Sequence, residues 1–391
     1  MVLMSRARRE QIALSWAGWG VLLFVTSFIW SPSRDGLDVV FVLFLFLPLL
    51  LVLPWQKPSF NEYGGWINLA ALGYAGFATL AVSWGSQSGE WGYFVLHWFV
   101  LFFWLCGVCW VFSRQQPDMP RFFNITVIIG VVVAISALIY CYSENPLDYR
   151  MIGWSVARYP IVVAQIFGSV AVIAYVLSLQ QDQIKRSLVY FLATLILLLP
   201  LFFSQSRGPA LAFIVVILAA LVFIRPSLKI LLIHALIGVV LLLPVLLFTD
   251  LAQVLTQRGF SWSERDNIWH DVWHLAWQTP WVGSGSLADD HMTIPSGFFH
   301  HPHNAWLDIF YRNGLVGLAL AVTHLALLLR WFSRDKILLP LYLWLCFGCL
   351  CLFTDSRVLF WELNAKWFLY WIPAGLITAM LVSRNRQTQR S

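Results

Sequence analysis

Residues 160–179 read PIVVAQIFGSVAVIAYVLSL and contain no charged side chain. A helix needs about 20 consecutive apolar residues to cross the hydrocarbon core of a bilayer, so this run is long enough to span a membrane. Similar runs recur along the whole chain. The sequence predicts twelve spans, at residues 11–30, 37–53, 66–84, 91–112, 122–142, 160–179, 188–203, 209–224, 230–248, 314–330, 337–353 and 366–382.

The composition agrees with a membrane protein. Hydrophobic residues make up 60% of the chain and charged residues 11%, against about 25% charged residues in a typical soluble domain. The sequence lacks the alternating segments of about ten residues that mark a membrane β-barrel. The expected fold is therefore an all-α polytopic membrane protein with about twelve transmembrane helices. We expect residues 11–30 to be the first span, because that run is long for a signal peptide and has no clear cleavage site.

Lysine and arginine are distributed unevenly between the two sets of connections. One set, which includes both termini, holds 16 of the 25 basic residues, and the other set holds 9. By the positive-inside rule the first set is cytoplasmic, which requires an even number of spans. The chain then divides into spans 1–9 (residues 1–248), a long periplasmic loop with short helices (249–313), and spans 10–12 with a cytoplasmic tail (314–391). The spread of basic residues gives no reason to expect a nucleic-acid partner.

Several arginines lie on the periplasmic side, where the charge bias disfavours them. Arg207 stands in Ser204-Gln-Ser-Arg-Gly-Pro-Ala, between two apolar runs. A guanidinium group is the preferred bidentate partner of phosphate, and the helix start at Gly208-Pro209 offers N–H groups that also favour anions. The alternative for Arg207 is an interfacial arginine that extends to lipid headgroups.

Four further arginines add positive charge to the same side. Arg265 follows a predicted N-cap, Ser263, and we interpret it as a ligand-binding residue, the alternative being an ion pair with a neighbouring carboxylate. For Arg258, Arg150 and Arg158, anion binding and an ordinary loop arginine both remain open.

Histidines cluster before the tenth span, in His300-His-Pro-His303-Asn304. Imidazole can take a proton from a sugar hydroxyl near neutral pH, so we interpret one of them as a general base. A metal cluster and a polar loop without function are the alternatives. His303 stands out because Asn304 and the spaced Gly314 and Gly317 follow it. Those glycines would let the next span begin and pack closely.

No metal site is predicted. His270 and His274 have the spacing of zinc-binding His-Glu-x-x-His helices, but aspartate replaces the glutamate. Tryptophans on the same helix favour a position at the membrane interface. The periplasmic loops contain no Asp-x-Asp, which argues against a nucleotide-sugar enzyme with a bound divalent metal. Phosphate-binding-loop, dinucleotide-binding and nucleophile-elbow motifs are also absent.

The segment before and into the tenth span resembles the bacterial O-antigen ligase and O-antigen polymerase superfamily. The motif that carries the resemblance is His303-Asn304, nine residues, and Gly314-x-x-Gly317. Further matching pieces are Arg265-x-x-x-Trp269, Thr279-Pro280, Gly283-x-Gly285 and, upstream, Ser206-Arg207-Gly208. The detailed resemblance covers roughly residues 200–320, and the rest of the chain shares only the architecture.

The resemblance implies a glycan transferase of the bacterial inner membrane. Its donor would be a glycan on undecaprenyl diphosphate and its acceptor the lipid A–core oligosaccharide, with inversion and without a metal or cofactor. Carried over, His303 activates the acceptor hydroxyl. The arginines that would hold the diphosphate are Arg207, Arg265, Arg150 and Arg258, with Arg265 also catalytic. The further candidate substrate contacts are Asn304, His301 and Arg158.

We therefore hypothesise an O-antigen ligase with a periplasmic active site, membrane lipids around it and both termini in the cytoplasm. An O-antigen polymerase and a protein O-oligosaccharyltransferase are alternatives within the enzyme class. The alternative from another class is a transporter of lipid-linked glycans, which would place charges along a path within the spans. Ionisable residues within the predicted spans are few, chiefly His97, His234 and His324, whereas the periplasmic loops are crowded. This asymmetry favours chemistry on one face.

Overall fold

A computed structural model describes residues 6–52, 58–85, 90–248, 265–288, 292–294, 297–299, 301–356 and 358–388. These residues are almost entirely helical. The helices are α1 (Arg6–Trp30), α2 (Arg34–Phe41), α3 (Leu47–Val52), α4 (Gly65–Leu80), α5 (Trp91–Arg114), α6 (Met119–Tyr142), α7 (Pro160–Leu179), α8 (Ile184–Phe203), α9 (Arg207–Ile224), α10 (Leu228–Phe248), α11 (Arg265–Ala276), α12 (Ala305–Arg330), α13 (Leu338–Thr354) and α14 (Ile372–Thr388). Two π-helical turns, Val42–Phe46 and Trp367–Trp371, precede α3 and α14.

The polytopic helical class is confirmed, and the count of twelve spans is not. Among the described residues nine helices are long and apolar enough to cross a membrane. The other three predicted spans, 37–53, 230–248 and 337–353, fall on helical segments that do not meet that standard. The first is divided by the π-turn Val42–Phe46, α10 counts as an apolar helix only over Leu228–Val240, and α13 has 17 residues.

A short β-hairpin interrupts the predicted all-α pattern. Strands β1 (Met292–Ile294) and β2 (Gly297–Phe299) pair antiparallel, with Met292 opposite Phe299. From the sequence, only short helices were expected in this loop. Thr293, Ile294 and Phe298 are β-branched or aromatic, and such residues favour a pleated strand over a helix.

Helix α7 forms the centre of the bundle, because nearly all its side chains from Val163 to Leu179 are buried. Helices α6, α8, α9 and α13 pack around it. Gly168 lies where a Cβ would come within 2.6 Å of the Phe347 ring, so α13 approaches α7 closely. This packing fixes the ends of α9 and α13 relative to each other.

The bundle has two distinct ends. We call the end with connections 143–159, 204–206, 277–288, 301–304 and 355–366 the loop face. The opposite end carries connections 115–118, 180–183, 225–227 and 331–337.

Helix α12 is broken at Gly314, where φ is 62° and ψ is −165°. The break leaves helix carbonyl and N–H groups without partners inside the helix, and the segment 280–285 supplies them. The four bonds run from Ser284 N to Tyr311 O (2.9 Å), Gly285 N to Arg312 O (2.9 Å), Leu315 N to Pro280 O (2.7 Å) and Val316 N to Trp281 O (3.1 Å). Residues 305–313 therefore form a short helix on the loop face, and the span itself begins after Gly314.

Glycine is required where these two segments meet. A Cβ on Gly314 would lie 2.4 Å from the carbonyl carbon of Trp281, and one on Gly317 would lie 2.3 Å from the Cβ of Asn313. The prediction that these two glycines let the span begin and pack closely is confirmed. Gly283 has φ +74°, and its Cβ would lie 2.3 Å from the carbonyl carbon of Arg312.

We predict that Gly283→Ala lowers the stability of the protein in detergent, because the substitution combines a left-handed φ with a backbone clash. Left-handed φ alone costs roughly 1–3 kcal/mol for a non-glycine residue. The matched control is Gly92→Ala, where an added Cβ meets nothing within 4 Å. A thermal unfolding midpoint that falls equally in both variants would contradict the requirement.

At the opposite end, one carboxylate pairs with two arginines from different helices. Glu62 Oε1 lies 2.9 Å from Arg386 Nη1 and 3.3 Å from Arg114 Nη2, which joins the end of α14 to the end of α5. Burial alone would raise the pKa of Glu62. The Ser59 backbone N–H and the two arginines outweigh burial and hold that pKa below its ordinary value.

A carboxylate with a depressed folded pKa stabilises the protein above its unfolded pKa, and the stabilisation is lost as the pH falls through the folded pKa. We therefore predict that the unfolding midpoint of the wild type drops more steeply than that of Glu62→Gln as the pH falls below about 4.3, the ordinary glutamate value. Parallel pH profiles for the two proteins would show that the ion pairs of Glu62 contribute nothing to stability.

Candidate active site

His303 lies on the loop face, immediately before the N-cap of α12. Its Nδ1 lies 2.7 Å from Oδ1 of Asp355, the first residue after α13. The side chain of His303 is 36% exposed and that of Asp355 is 18% exposed, so the pair is reachable from outside the bundle. A carboxylate can only accept, so Nδ1–H donates, and Nε2 is left with its lone pair available.

The turn that holds His303 is fixed by its neighbours. The His303 N–H donates to His301 Nδ1 at 3.2 Å, and the two rings lie 4.0 Å apart. The Trp269 indole N–H donates to the carbonyl of Pro302 at 2.9 Å, which ties the turn to α11. His301 thus positions His303 through the backbone.

Helix α11 brings Arg265 to the same region. Arg265 is the first residue of α11 and lies one turn before Trp269, on the same helix face. The Trp269 ring lies 5.5 Å from the ring of Phe353, which precedes Asp355 by two residues. Within the described part of the chain the half-buried Arg265 guanidinium makes no hydrogen bond or ion pair, neither with Asp266 nor with Asp271.

Arg207 is the first residue of α9. A Cβ on the next residue, Gly208, would lie 2.4 Å from the Thr354 hydroxyl, so the start of α9 abuts the residue beside Asp355. Arg207 is half-buried. Its guanidinium makes no ion pair or hydrogen bond with any residue that the structure describes. It is therefore available to an anion.

Arg150 joins this group through the turn before α9. Its Nε donates to the carbonyl of Ser204 at 3.2 Å. The Met151 N–H donates to Phe203 O at 3.0 Å, and the Gln205 amide donates to Asp148 O at 3.0 Å. The loop 148–151 therefore runs along the turn that leads into Arg207.

The remaining candidates take other positions. The side-chain oxygen of Asn304 caps α12, accepting from Trp306 N at 3.0 Å and Leu307 N at 3.2 Å, and the residue is buried. Arg158 is exposed, with its guanidinium 5.0 Å from the ring centroid of Tyr159. Arg258 and His300 lie outside the described residues.

A buried ion pair lies beneath the site. Asp308 Oδ1 lies 2.9 Å from Arg312 Nε, and both side chains are at most 3% exposed. Asp308 Oδ2 accepts from the N–H of Val358 at 2.6 Å. Arg312 Nη1 donates to the carbonyls of Ser286 and Ala288, at 3.0 and 2.9 Å. The pair thus fastens the segment 286–288 and the segment after Asp355 to α12.

Sequence reasoning missed Asp355 and Asp308. The signal for Asp308 was present, since an aspartate four residues before an arginine marks a helical pair. Asp355 carries no local signal, because its partner His303 belongs to another element.

Backbone strain concentrates around the site. Among the described residues four non-glycine residues have positive φ, and three of them lie here: Gln205 (53°), His303 (52°) and Val358 (28°). Such conformations cost free energy and persist where the surroundings enforce them, commonly at functional sites.

The loop face therefore combines an imidazole oriented by a carboxylate with two guanidinium groups, those of Arg207 and Arg265, that pair with no anion among the described residues. Such a site can remove a proton from a hydroxyl and stabilise a developing phosphate charge. The fold is that of a polytopic membrane protein, and the residues of the loop face suit an enzyme whose substrate carries negative charge.

Comparison with known proteins agrees with this class. Residues 192–322 match the O-antigen ligase family model. The chain is also 26% identical over 383 residues to an O-antigen ligase of Pseudomonas aeruginosa strain PAO1, an alignment that covers 95% of this chain and 92% of the relative. The chain is therefore similar to O-antigen ligases, over one segment by the family model and over nearly its whole length by the single relative. The resemblance predicted from the segment around His303 is confirmed.

We predict that Asp355→Asn slows the reaction by as much as about 10⁴-fold, because the amide no longer holds the imidazole in the tautomer whose Nε2 can accept a proton. Turnover should fall while KM stays unchanged. Glu362→Gln is the matched control, because Glu362 is a half-buried carboxylate of the same connection, paired to Arg34. An equal loss in both variants would remove Asp355 from the site.

Proposed function

We propose that this protein transfers O-antigen from undecaprenyl diphosphate to a hydroxyl of the lipid A–core oligosaccharide. The observation that carries the proposal is the convergence of the His303–Asp355 pair with Arg207 and Arg265 on one end of the bundle. The His303–Asp355 pair suits the acceptor hydroxyl, and the two arginines suit the diphosphate leaving group of the donor.

In the proposed reaction His303 Nε2 takes the proton of the acceptor hydroxyl. The acceptor oxygen attacks the anomeric carbon as the bond from that carbon to the diphosphate oxygen breaks. Attack from the face opposite the leaving group inverts the anomeric configuration. Asp355 holds the imidazole in the tautomer that can accept the proton and stabilises the imidazolium that forms.

Negative charge grows on the diphosphate as it leaves. Arg207 and Arg265 lie at helix starts on this face and bond no residue that the structure describes, so they can stabilise that charge without reorganisation. Arg150 extends the basic surface, and we assign Arg258 to it as well. His301, Asn304 and Arg158 would contact the glycans less directly. In this scheme the arginines provide the charge that a divalent cation provides in other transferases, so the reaction needs no metal.

We further propose that the loop face is periplasmic and that both termini are cytoplasmic. The basic residues Arg114, Lys185, Arg225 and Lys336 lie at or beside the connections of the opposite end, as the positive-inside rule requires for a cytoplasmic surface. The segments 37–53, 230–248 and 337–353 would complete twelve crossings. The domain division into 1–248, 249–313 and 314–391 follows from this topology.

The transporter alternative is disfavoured by the histidines within the spans. His97 Nδ1 bonds the Tyr93 carbonyl at 2.8 Å, His234 Nε2 lies 3.0 Å from the Ser187 hydroxyl, and His324 Nδ1 lies 3.0 Å from the Tyr370 hydroxyl. Each histidine is buried against a local partner. None of these bonds connects one histidine to another along a path through the bundle.

The test uses purified protein in detergent with a polyprenyl-diphosphate glycan and lipid A–core, in the presence of a chelator. His303→Ala should lower transfer about 10²–10⁴-fold, and Arg265→Ala about 10²–10³-fold. His274→Ala, an exposed histidine of α11, is the matched control and should retain activity.

Full activity in both site variants would overturn the site assignment. Lengthening of the donor glycan when lipid A–core is omitted would instead identify a polymerase. Transfer to a protein acceptor would identify a protein O-oligosaccharyltransferase.

A further inference from the structure

A groove of about 1130 Å³ opens between α6 and α8 near the opposite end of the bundle, far along both helices from the catalytic site. Ligand pockets commonly measure about 300–1,000 Å³, so the groove has room for a lipid-sized molecule. Its outer walls are apolar and exposed: Ile128 is 61% exposed, Val132 57% and Val189 66%. Both helices are candidate membrane spans, so these side chains face lipid.

The mouth of the groove is positively charged. Arg186 and Lys336 line it and are exposed, and neither makes an ion pair or hydrogen bond with any described residue. Asp182 also lines the mouth and is the one carboxylate of the lining. Two cations against one carboxylate leave a net positive charge. The mouth therefore complements an anion.

A second polar layer lies one helical turn deeper. Tyr190 follows Arg186 by four residues on the same face of α8, which places it about 6 Å further along the helix. Its hydroxyl donates to the side-chain oxygen of Asn124 on α6 at 2.5 Å. The amide nitrogen of Asn124 makes no hydrogen bond to any described residue, so its N–H groups can donate to a ligand in the groove.

Below this layer the groove is apolar on both sides. Ala193 and Ile196 continue the Arg186–Tyr190 face of α8, and Val127 and Val131 continue the face of α6 below Asn124. Ile196 lies about 9 Å beyond Tyr190. From the mouth inward, the lining of the groove changes from cationic side chains to hydrogen-bond donors and then to apolar side chains.

This order is that of a phospholipid, whose phosphate, glycerol esters and acyl chains follow one another at similar spacing. We propose that the groove binds one anionic phospholipid of the phosphatidylglycerol class. Its phosphate lies between Arg186 and Lys336, its ester oxygens accept from Asn124, and one acyl chain lies against Ala193, Ile196 and Val131. Basic pockets between transmembrane helices bind anionic headgroups in this way.

The test is native mass spectrometry of the full-length protein in detergent, titrated with phosphatidylglycerol and with phosphatidylethanolamine of the same acyl chains. The wild type should retain one phosphatidylglycerol in preference. Arg186→Ala/Lys336→Ala should weaken its affinity about fivefold for each charge removed, from about 1 kcal/mol per basic residue near an anionic lipid.

The matched control is Lys185→Ala/Arg334→Ala, which removes the same charge from the same end at residues that do not line the groove. This control should bind as the wild type does. Ala193→Phe should weaken binding without any change in charge, because it fills the acyl-chain level.

Equal weakening in the two double variants would overturn the proposal in favour of general surface attraction. Equal retention of phosphatidylethanolamine and phosphatidylglycerol would show that the groove does not select an anionic headgroup, and would overturn the proposal. Displacement of the lipid by inorganic phosphate alone would reduce the groove to an anion site. Wild-type binding by Ala193→Phe would place the acyl chain elsewhere.

Discussion

The break in α12 at Gly314 is the constraint on which the loop face depends. Backbone groups near the hydrocarbon of a membrane must find partners within the protein, because water is not there to supply them. The segment 280–285 provides those partners with four hydrogen bonds. The start of the connection after α11 is therefore fixed to the start of the span that follows Gly314. The short helix 305–313 ends at this break, and its N-cap, Asn304, follows His303 directly.

Charge is used in two ways at this end of the bundle. Arg312 is buried with Asp308, and its donors also reach backbone carbonyls, so its charge is satisfied by the protein and serves to hold segments together. Arg207 and Arg265 are half-buried and have no protein anion among the described residues, so their charge is available to a ligand. Whether a guanidinium group has partners among the described residues distinguishes a structural arginine from a candidate ligand-binding arginine more clearly than its exposure does.

The features that depend on a local sequence pattern were predicted correctly. Apolar runs predicted the membrane class and most helix positions, because span length is set by bilayer thickness. The spaced glycines predicted a close approach at the start of the tenth span, and the arginines before helix starts were found on the loop face. The partner of His303 was not predictable, because Asp355 lies 52 residues away on another element.

The helical distortions could not be predicted from the sequence either. The π-turn Val42–Phe46 lies in an ordinary apolar run, and nothing in its composition marks it. The hairpin β1–β2 is too short for its alternation to stand out against a loop. Asn304 could be read as a substrate contact or as a cap, and only the position of α12 shows that its oxygen accepts from the helix N–H groups.

The His303–Asp355 bond also bears on biogenesis. A ribosome produces the chain from its N-terminus, so the arginines and His303 enter the membrane before the helix that delivers Asp355. The imidazole of a nascent protein therefore lacks its carboxylate partner until α13 inserts and packs against α7 and α9. Translation order thereby makes this contact between α12 and α13 form late in assembly, after nearly all of the chain has been made.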